Sequence, residues 1–234
     1  ILRNQALSPD IAPAGSFLQD LQVSADGNTV VIADASFWRK SPAIIVYDVE
    51  TGEARRVLES HASVSAENYV IRSGDREMKF FGGVVALRGG VDGIALGPEW
   101  LYYGALSGSG LYRVLLKDLL DESLPPSQLA NRVERIGDKP LSDGLSIDIE
   151  GNIYITDVEH GSIFVTGAGK NLKTLIQAPD LRWPDALSFG PDGYLYIADS
   201  ALAELILQSR EHIEAQGPYR IFRLQPGVDG VPGQ

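Results

Sequence analysis

Residues 142–157 read SDGLSIDIEGNIYITD, and this stretch decides the fold. A short alternating run through Leu145 and Ile147 enters the pair Glu150-Gly151, and a second run, Ile153-Tyr154-Ile155, returns from it. Alternation with period two places every second side chain on one face. An acidic residue followed by Gly supplies the positive φ that a tight hairpin turn needs. The same grammar recurs at residues 18–34 (LQDLQVSADGNTVVIAD), 91–104 (VDGIALGPEWLYYG) and 184–199 (PDALSFGPDGYLYIAD). A third strand is predicted in each repeat, at residues 43–49, 111–115, 162–166 and 219–224, and fourth strands at 55–58, 133–136 and 173–176.

Repeated units of three or four antiparallel strands are the blades of an all-β propeller. About four blades start near residues 17, 91, 142 and 184 of one domain spanning 1–234. A two-sheet sandwich would not repeat one hairpin motif in this way, and the Gly-His and Trp-Asp signatures of WD40 blades are missing. The long first interval is predicted to hold an extra hairpin at residues 68–81. A helix is expected over 202–215, with weaker helical pattern at 115–120 and 127–132, and residues 225–234 read as loop or frayed end. The last blade lacks an evident outer strand. Either residues 1–7 supply it and close a four-bladed ring, or blades upstream of Ile1 do; the second reading is favoured.

Composition narrows the chemistry. The 234 residues carry 20 Lys+Arg against 31 Asp+Glu, a formal net charge of -11, and no Cys. Disulfide scaffolds, zinc fingers, iron–sulfur sites and thiol nucleophiles are excluded. The acidic balance argues against nucleic acid and anionic membranes, and fits cations or neutral small molecules. No apolar run approaches the roughly 20 residues of a membrane-spanning helix.

Each repeat opens its first strand on an acid: Asp20, Asp92, Asp143 and Asp185. In three repeats the second strand closes on another acid 14 residues later, Asp34, Asp157 and Asp199, while Gly104 holds the comparable place in the second repeat. A hairpin with its turn midway returns the chain to the level where it began, so both acids lie at one end of the blade. First strands line the axis of a propeller, and the four opening carboxylates therefore converge at one mouth. Such a cluster repels itself unless it is protonated or neutralised, and a hard divalent cation is the common neutraliser. The competing reading makes each Asp a cap on its own backbone. That role leads for Asp34, Asp157 and Asp199; for the opening four, the two roles stand level and are compatible.

Aromatic and basic residues near the same end are candidate ligand contacts: Trp183 beside Asp185, Phe17 before Asp20, Trp38 in the loop after Asp34, and His160 in the loop after Asp157. The competing expectations are aromatic packing between blades for Trp183 and Phe17, a solvated loop for Trp38 and an incidental loop histidine for His160.

The run 18–36, residues 42–48, Gly93–Leu96 with Leu101–Tyr103, residues 107–112, residues 139–144 and residues 183–200 together resemble the Yellow/major royal jelly protein family over nearly the whole chain. The resemblance implies a six-bladed propeller with about two further blades N-terminal to those seen here, and it favours a secreted or periplasmic location. Residues 142–145 (SDGL) and 184–187 (PDAL) are also similar to channel motifs of the SMP-30/gluconolactonase group, metal-dependent lactone hydrolases of the same architecture. By that resemblance Asp143 and Asp185 match metal-binding positions and Asp92 a polar channel position. That group typically carries Asn where this chain has Asp143, and takes a glutamate ligand from a blade outside these four.

Two functions follow. The first is a metal-dependent hydrolase of a lactone or related ester: Asp20, Asp92, Asp143 and Asp185 hold a divalent cation, calcium by choice, and Asp143 and Asp92 are the catalytic carboxylates. The alternative is a non-catalytic binding protein for small amines, aromatic compounds or lipids, with Trp183, Trp38 or Phe17 stacking on the ligand. The hydrolase leads narrowly, because four converging acids require a counter-charge.

Overall fold

The computed structural model describes residues 4–167 and 169–233. Four small antiparallel sheets, each built from consecutive strands, form the blades of a β-propeller. The first contains β1 (Leu18–Val23), β2 (Thr29–Asp34), β3 (Ala43–Asp48) and β4 (Ala54–Val57). A long connection follows, with two short hairpins: β5 (Arg72–Ser73) with β6 (Arg76–Glu77), and β7 (Lys79–Phe80) with β8 (Val85–Ala86). The second blade is β9 (Val91–Leu96), β10 (Trp100–Ala105), β11 (Gly110–Leu115) and β12 (Glu134–Asp138), the last two bridged by α1 (Leu116–Leu120) and α2 (Pro126–Ala130). The third is β13 (Leu145–Ile147), β14 (Asn152–Asp157), β15 (Ser162–Gly167) and β16 (Lys173–Gln177). The fourth has three strands, β17 (Pro184–Phe189), β18 (Leu195–Asp199) and β19 (Arg220–Leu224), with α3 (Arg210–Ala215) between the last two.

The turns explain the hairpins. Gly27, Gly151 and Gly193 all sit at positive φ, between 74° and 76°. The acid opening each turn ties it down: Asp26 accepts from the Asn28 amide, and Asp148 accepts from the Glu150 and Asn152 amides. Packing then does what local pattern cannot. Ile44, Val46, Ile94, Leu101 and Tyr103 fill the space between the first two blades, with Leu119 of α1 and Leu129 of α2 docked on it. Tyr102, Leu111, Leu145 and Ile153 fill the next gap, and Tyr154, Ile163, Leu187 and Ile197 the last. Each such fully buried side chain contributes about 1.5–3 kcal/mol.

Three expectations change. The helix predicted over 202–215 splits into a 3₁₀ turn at Leu202–Glu204 and α3, because Leu207 takes a left-handed φ of 57° and Ser209 restarts the helix by accepting from the His212 amide. The extra hairpin runs on to residue 86 and becomes two, joined at Met78, whose amide donates to the Ile71 carbonyl and whose own carbonyl accepts from Leu87. The tail is not frayed over residues 229–231. Asp148 bridges to Gly230, the Ile149 amide donates to the Asp229 carbonyl, and the Val231 amide to the Ile147 carbonyl. No fourth strand joins the last sheet among the described residues. Residues 4–7 form no strand, and residues 1–3, with them in the predicted closing segment, lie outside the described residues.

Candidate carboxylate site

The inner strands β1, β9, β13 and β17 lie side by side in chain order. Their spacing is set by two glycines that follow the opening acids. A Cβ on Gly93 would stand 2.4 Å from the Asp143 carbonyl oxygen, and one on Gly144 would stand 2.3 Å from that of Asp185. Any side chain there would force neighbouring blades apart. With the strands level, Asp20, Asp92, Asp143 and Asp185 come together around a cavity of about 70 Å³, which Gln19 and Leu145 also line.

The four carboxylates are held differently. Asp20 accepts from the Leu21 amide at 2.7 Å and, across the blade gap, from the Ile94 amide at 2.9 Å. Asp143 accepts from the Trp183 indole N–H at 2.7 Å, while the Asp143 and Gly144 amides donate to the Thr156 hydroxyl. Asp185, half-buried, also borders the cavity. Asp92 is 1% exposed, and neither of its carboxylate oxygens receives a hydrogen bond. A buried carboxylate without donors carries a desolvation penalty that pairing normally offsets. Burial pushes the Asp20 carboxyl up to about 6. Burial first, and then the charge of Asp143, pushes Asp92 well above the usual carboxylate range; burial and then Asp185 raise Asp143; burial also raises Asp185. The cluster therefore limits its own charge by holding protons.

An apolar cap gathers the connections at the acid end. Leu106, Leu141, Val158, Trp183 and Ala203, each from a different connection, meet Ile71 and Met78 of the long first connection.

The closing acids are fully engaged. Asp34 accepts from the Phe17 and Ser36 amides and pairs with Arg56 at 2.8 Å. Asp157 accepts from the Glu159 and His160 amides and the His160 ring. Asp199 accepts from the Arg182 and Trp183 amides and pairs with the Arg182 guanidinium. Of the aromatic and basic candidates, none lines the cavity. Trp183 is buried in the cap and orients Asp143. Phe17 packs edge-on against Phe37, Trp38 is 73% exposed, and the exposed His160 side chain is tied to Asp157. One residue escaped the sequence reading. Lys139 is buried beside the cluster, and its one signal is the exception at Gly104, whose missing side chain makes room for it.

Solved structures share this fold at low identity. A calcium-binding protein, regucalcin from Agrobacterium tumefaciens, is 17% identical over 93% of this chain and 63% of its own, with a TM-score of 0.59. A structure of a nidogen/laminin complex gives 16% identity, 92% of this chain, 63% of that one and a TM-score of 0.60. A gluconolactonase from Xanthomonas campestris gives 14%, 79%, 55% and 0.50. The chain spans less than two thirds of the length of each. A nidogen/laminin complex, a calcium-binding protein and a gluconolactonase on one scaffold mean that this likeness speaks to fold alone. No curated protein matches the chain. The family model for major royal jelly proteins aligns with residues 1–216, from the first blade to the helix before the last strand. On that match, the chain belongs to the major royal jelly protein family.

Proposed function

We propose that the cavity is a cation site and that the protein acts with it as a hydrolase of a lactone or related ester. One observation carries the reading: Asp92 is buried against three other carboxylates with both oxygens undonated. Four hard oxygen donors of this kind suit calcium, which accepts carboxylate sets of variable geometry. Asp20, Asp92, Asp143 and Asp185 would hold it. Among the described residues no three Asp, Glu, His or Cys side chains are placed to hold a metal ion as they stand. Binding would therefore draw the carboxylates together and expel the protons they carry. When bound, such a cation supplies Lewis acidity toward a carbonyl oxygen. The protein's own groups do the rest. The Trp183 indole fixes Asp143, and Asp92 has free lone pairs to take a proton from a water in the cavity. The regucalcin described as calcium-binding and the Xanthomonas gluconolactonase make this chemistry a reasonable use of the scaffold.

Capture of a small aromatic amine has the same carboxylates in its favour, but Trp183, Trp38 and Phe17 stand away from the cavity, so stacking has no wall. Isothermal titration with calcium, followed by a lactone panel with and without EDTA, tests the proposal. Saturable binding lost in Asp92→Asn and Asp143→Asn, with EDTA-sensitive turnover, is expected. Absence of calcium binding to the folded protein defeats the cation reading; binding without turnover of any lactone or ester defeats the hydrolase. Thermal stabilisation by amines that survives EDTA would put the binding-protein reading in its place.

A further inference from the structure

The exception in the repeat lies next to the cluster. Where the other blades close their second strand on Asp34, Asp157 and Asp199, the second blade has Gly104, and the space is occupied by Lys139 from the connection between β12 and β13. A Cβ on residue 104 would stand 2.2 Å from Lys139 Cε and 2.9 Å from Cδ, so the lysine is accommodated only because residue 104 has no side chain. Lys139 is 4% exposed, and among the described residues no other Lys or Arg is buried. Its Nζ donates to the Ala105 carbonyl at 2.8 Å and the Pro140 carbonyl at 3.1 Å. An ammonium has three protons to give, and two neutral carbonyls do not balance its charge.

The acids around it are Asp92, Glu67, Asp143 and Asp157, with Asp92 exerting the strongest pull. Three of them have donors of their own. Glu67 accepts from the Ser109 amide and hydroxyl, Asp143 from Trp183, and Asp157 from its own loop and His160. Asp92 has none. The Ala105 carbonyl that Lys139 binds belongs to the strand partner of Val91, the residue before Asp92. Burial pulls the Lys139 ammonium down to about 7 and pushes the Asp92 carboxyl up, and each group offsets that penalty for the other, which makes them natural complements.

We infer that Lys139 is a positioning residue, the resident counter-charge of the carboxylate cluster, lodged in the space Gly104 leaves and setting how strongly the cavity takes a cation. The last clause rests on the cation reading above; the counter-charge role does not. In its protonated form Lys139 places a positive charge beside the cluster, which keeps the four acids compatible without an ion and repels an arriving divalent cation.

The experiment has two arms. In EDTA, thermal unfolding is followed for the wild type, Lys139→Met, Asp92→Asn and the double variant, Met matching Lys closely in length. Lys139→Met should lower Tm by several degrees, and adding Asp92→Asn should restore most of the loss. Additive effects in this cycle would show that Lys139 only fills space, and would overturn the role. If Lys139→Met alone does not fold, recovery of folded protein in the double variant delivers the same support, and failure of both overturns it. In the second arm, calcium titration of Lys139→Met should show affinity raised by about tenfold or more over wild type, while Lys139→Arg keeps the wild-type value. Unchanged affinity in Lys139→Met overturns the control of cation binding. No binding in the wild type defeats the cation reading by itself, and the first arm still decides the counter-charge.

Discussion

The two sets of repeated aspartates sit at the same end of the blades, yet they live by different rules. Asp34, Asp157 and Asp199, at the ends of second strands, each accept two backbone amides and pair with a side chain. Asp20, Asp92, Asp143 and Asp185, at the beginnings of first strands, surround a cavity, and their satisfaction runs from two amides on Asp20 to none on Asp92. Recurrence along the chain is nearly the same in the two sets, four members against three, and so says nothing about role. What separates scaffold from site is whether the buried charge has been given its donors.

The sharpest break of this comparison comes from the scaffold set. Asp34→Ala leaves the nearly buried Arg56 guanidinium and two amides without their acceptor, and should cost about 3–5 kcal/mol in urea unfolding. A loss below about 1 kcal/mol would dissolve the distinction between the two sets. A smaller effect is read through pH. The Asp20 carboxyl is raised from 3.8 to about 6, so the folded protein binds this proton more tightly than the unfolded chain does. Stability from this group is full below pH 4 and is lost as pH rises to about 6, by at most about 3 kcal/mol. The difference in unfolding free energy between wild type and Asp20→Asn, measured from pH 3.5 to 7, should follow that fall; a flat difference would mean that Asp20 is solvated like an ordinary surface acid. Calcium should act in the opposite sense on the same cluster, with proton release seen as buffer-dependent heat of binding. The smallest effect is expected at the rim: His160→Ala removes one exposed bond to Asp157, whose amide donors remain, and should change stability by no more than about 1 kcal/mol and calcium affinity not at all.

The blades were legible because their determinants are local. Period-two alternation, an acid-Gly turn and a return strand lie within sixteen consecutive residues, and all four third strands and the three outer strands fall where the pattern placed them. Convergence of the opening acids was legible for the same reason, since each acid stands at a similar place ahead of its hairpin turn. Helix limits near residue 207 were not, because one left-handed residue decides them against a favourable pattern.

What tertiary structure alone decided is the character of the site. The cap joins side chains from connections as far apart as Ile71 and Ala203, so no window of sequence contains it, and it turned Trp183 from a candidate ligand contact into a buried donor to Asp143. Lys139 reads as one charge among 20 until the fold sets it in the space above Gly104. Strand and turn preferences act between neighbours, and the sequence displays them directly. Burial and the supply of hydrogen-bond donors are properties of an environment assembled from distant segments, and that environment is what makes a carboxylate a structural cap in one place and an unsatisfied charge in another.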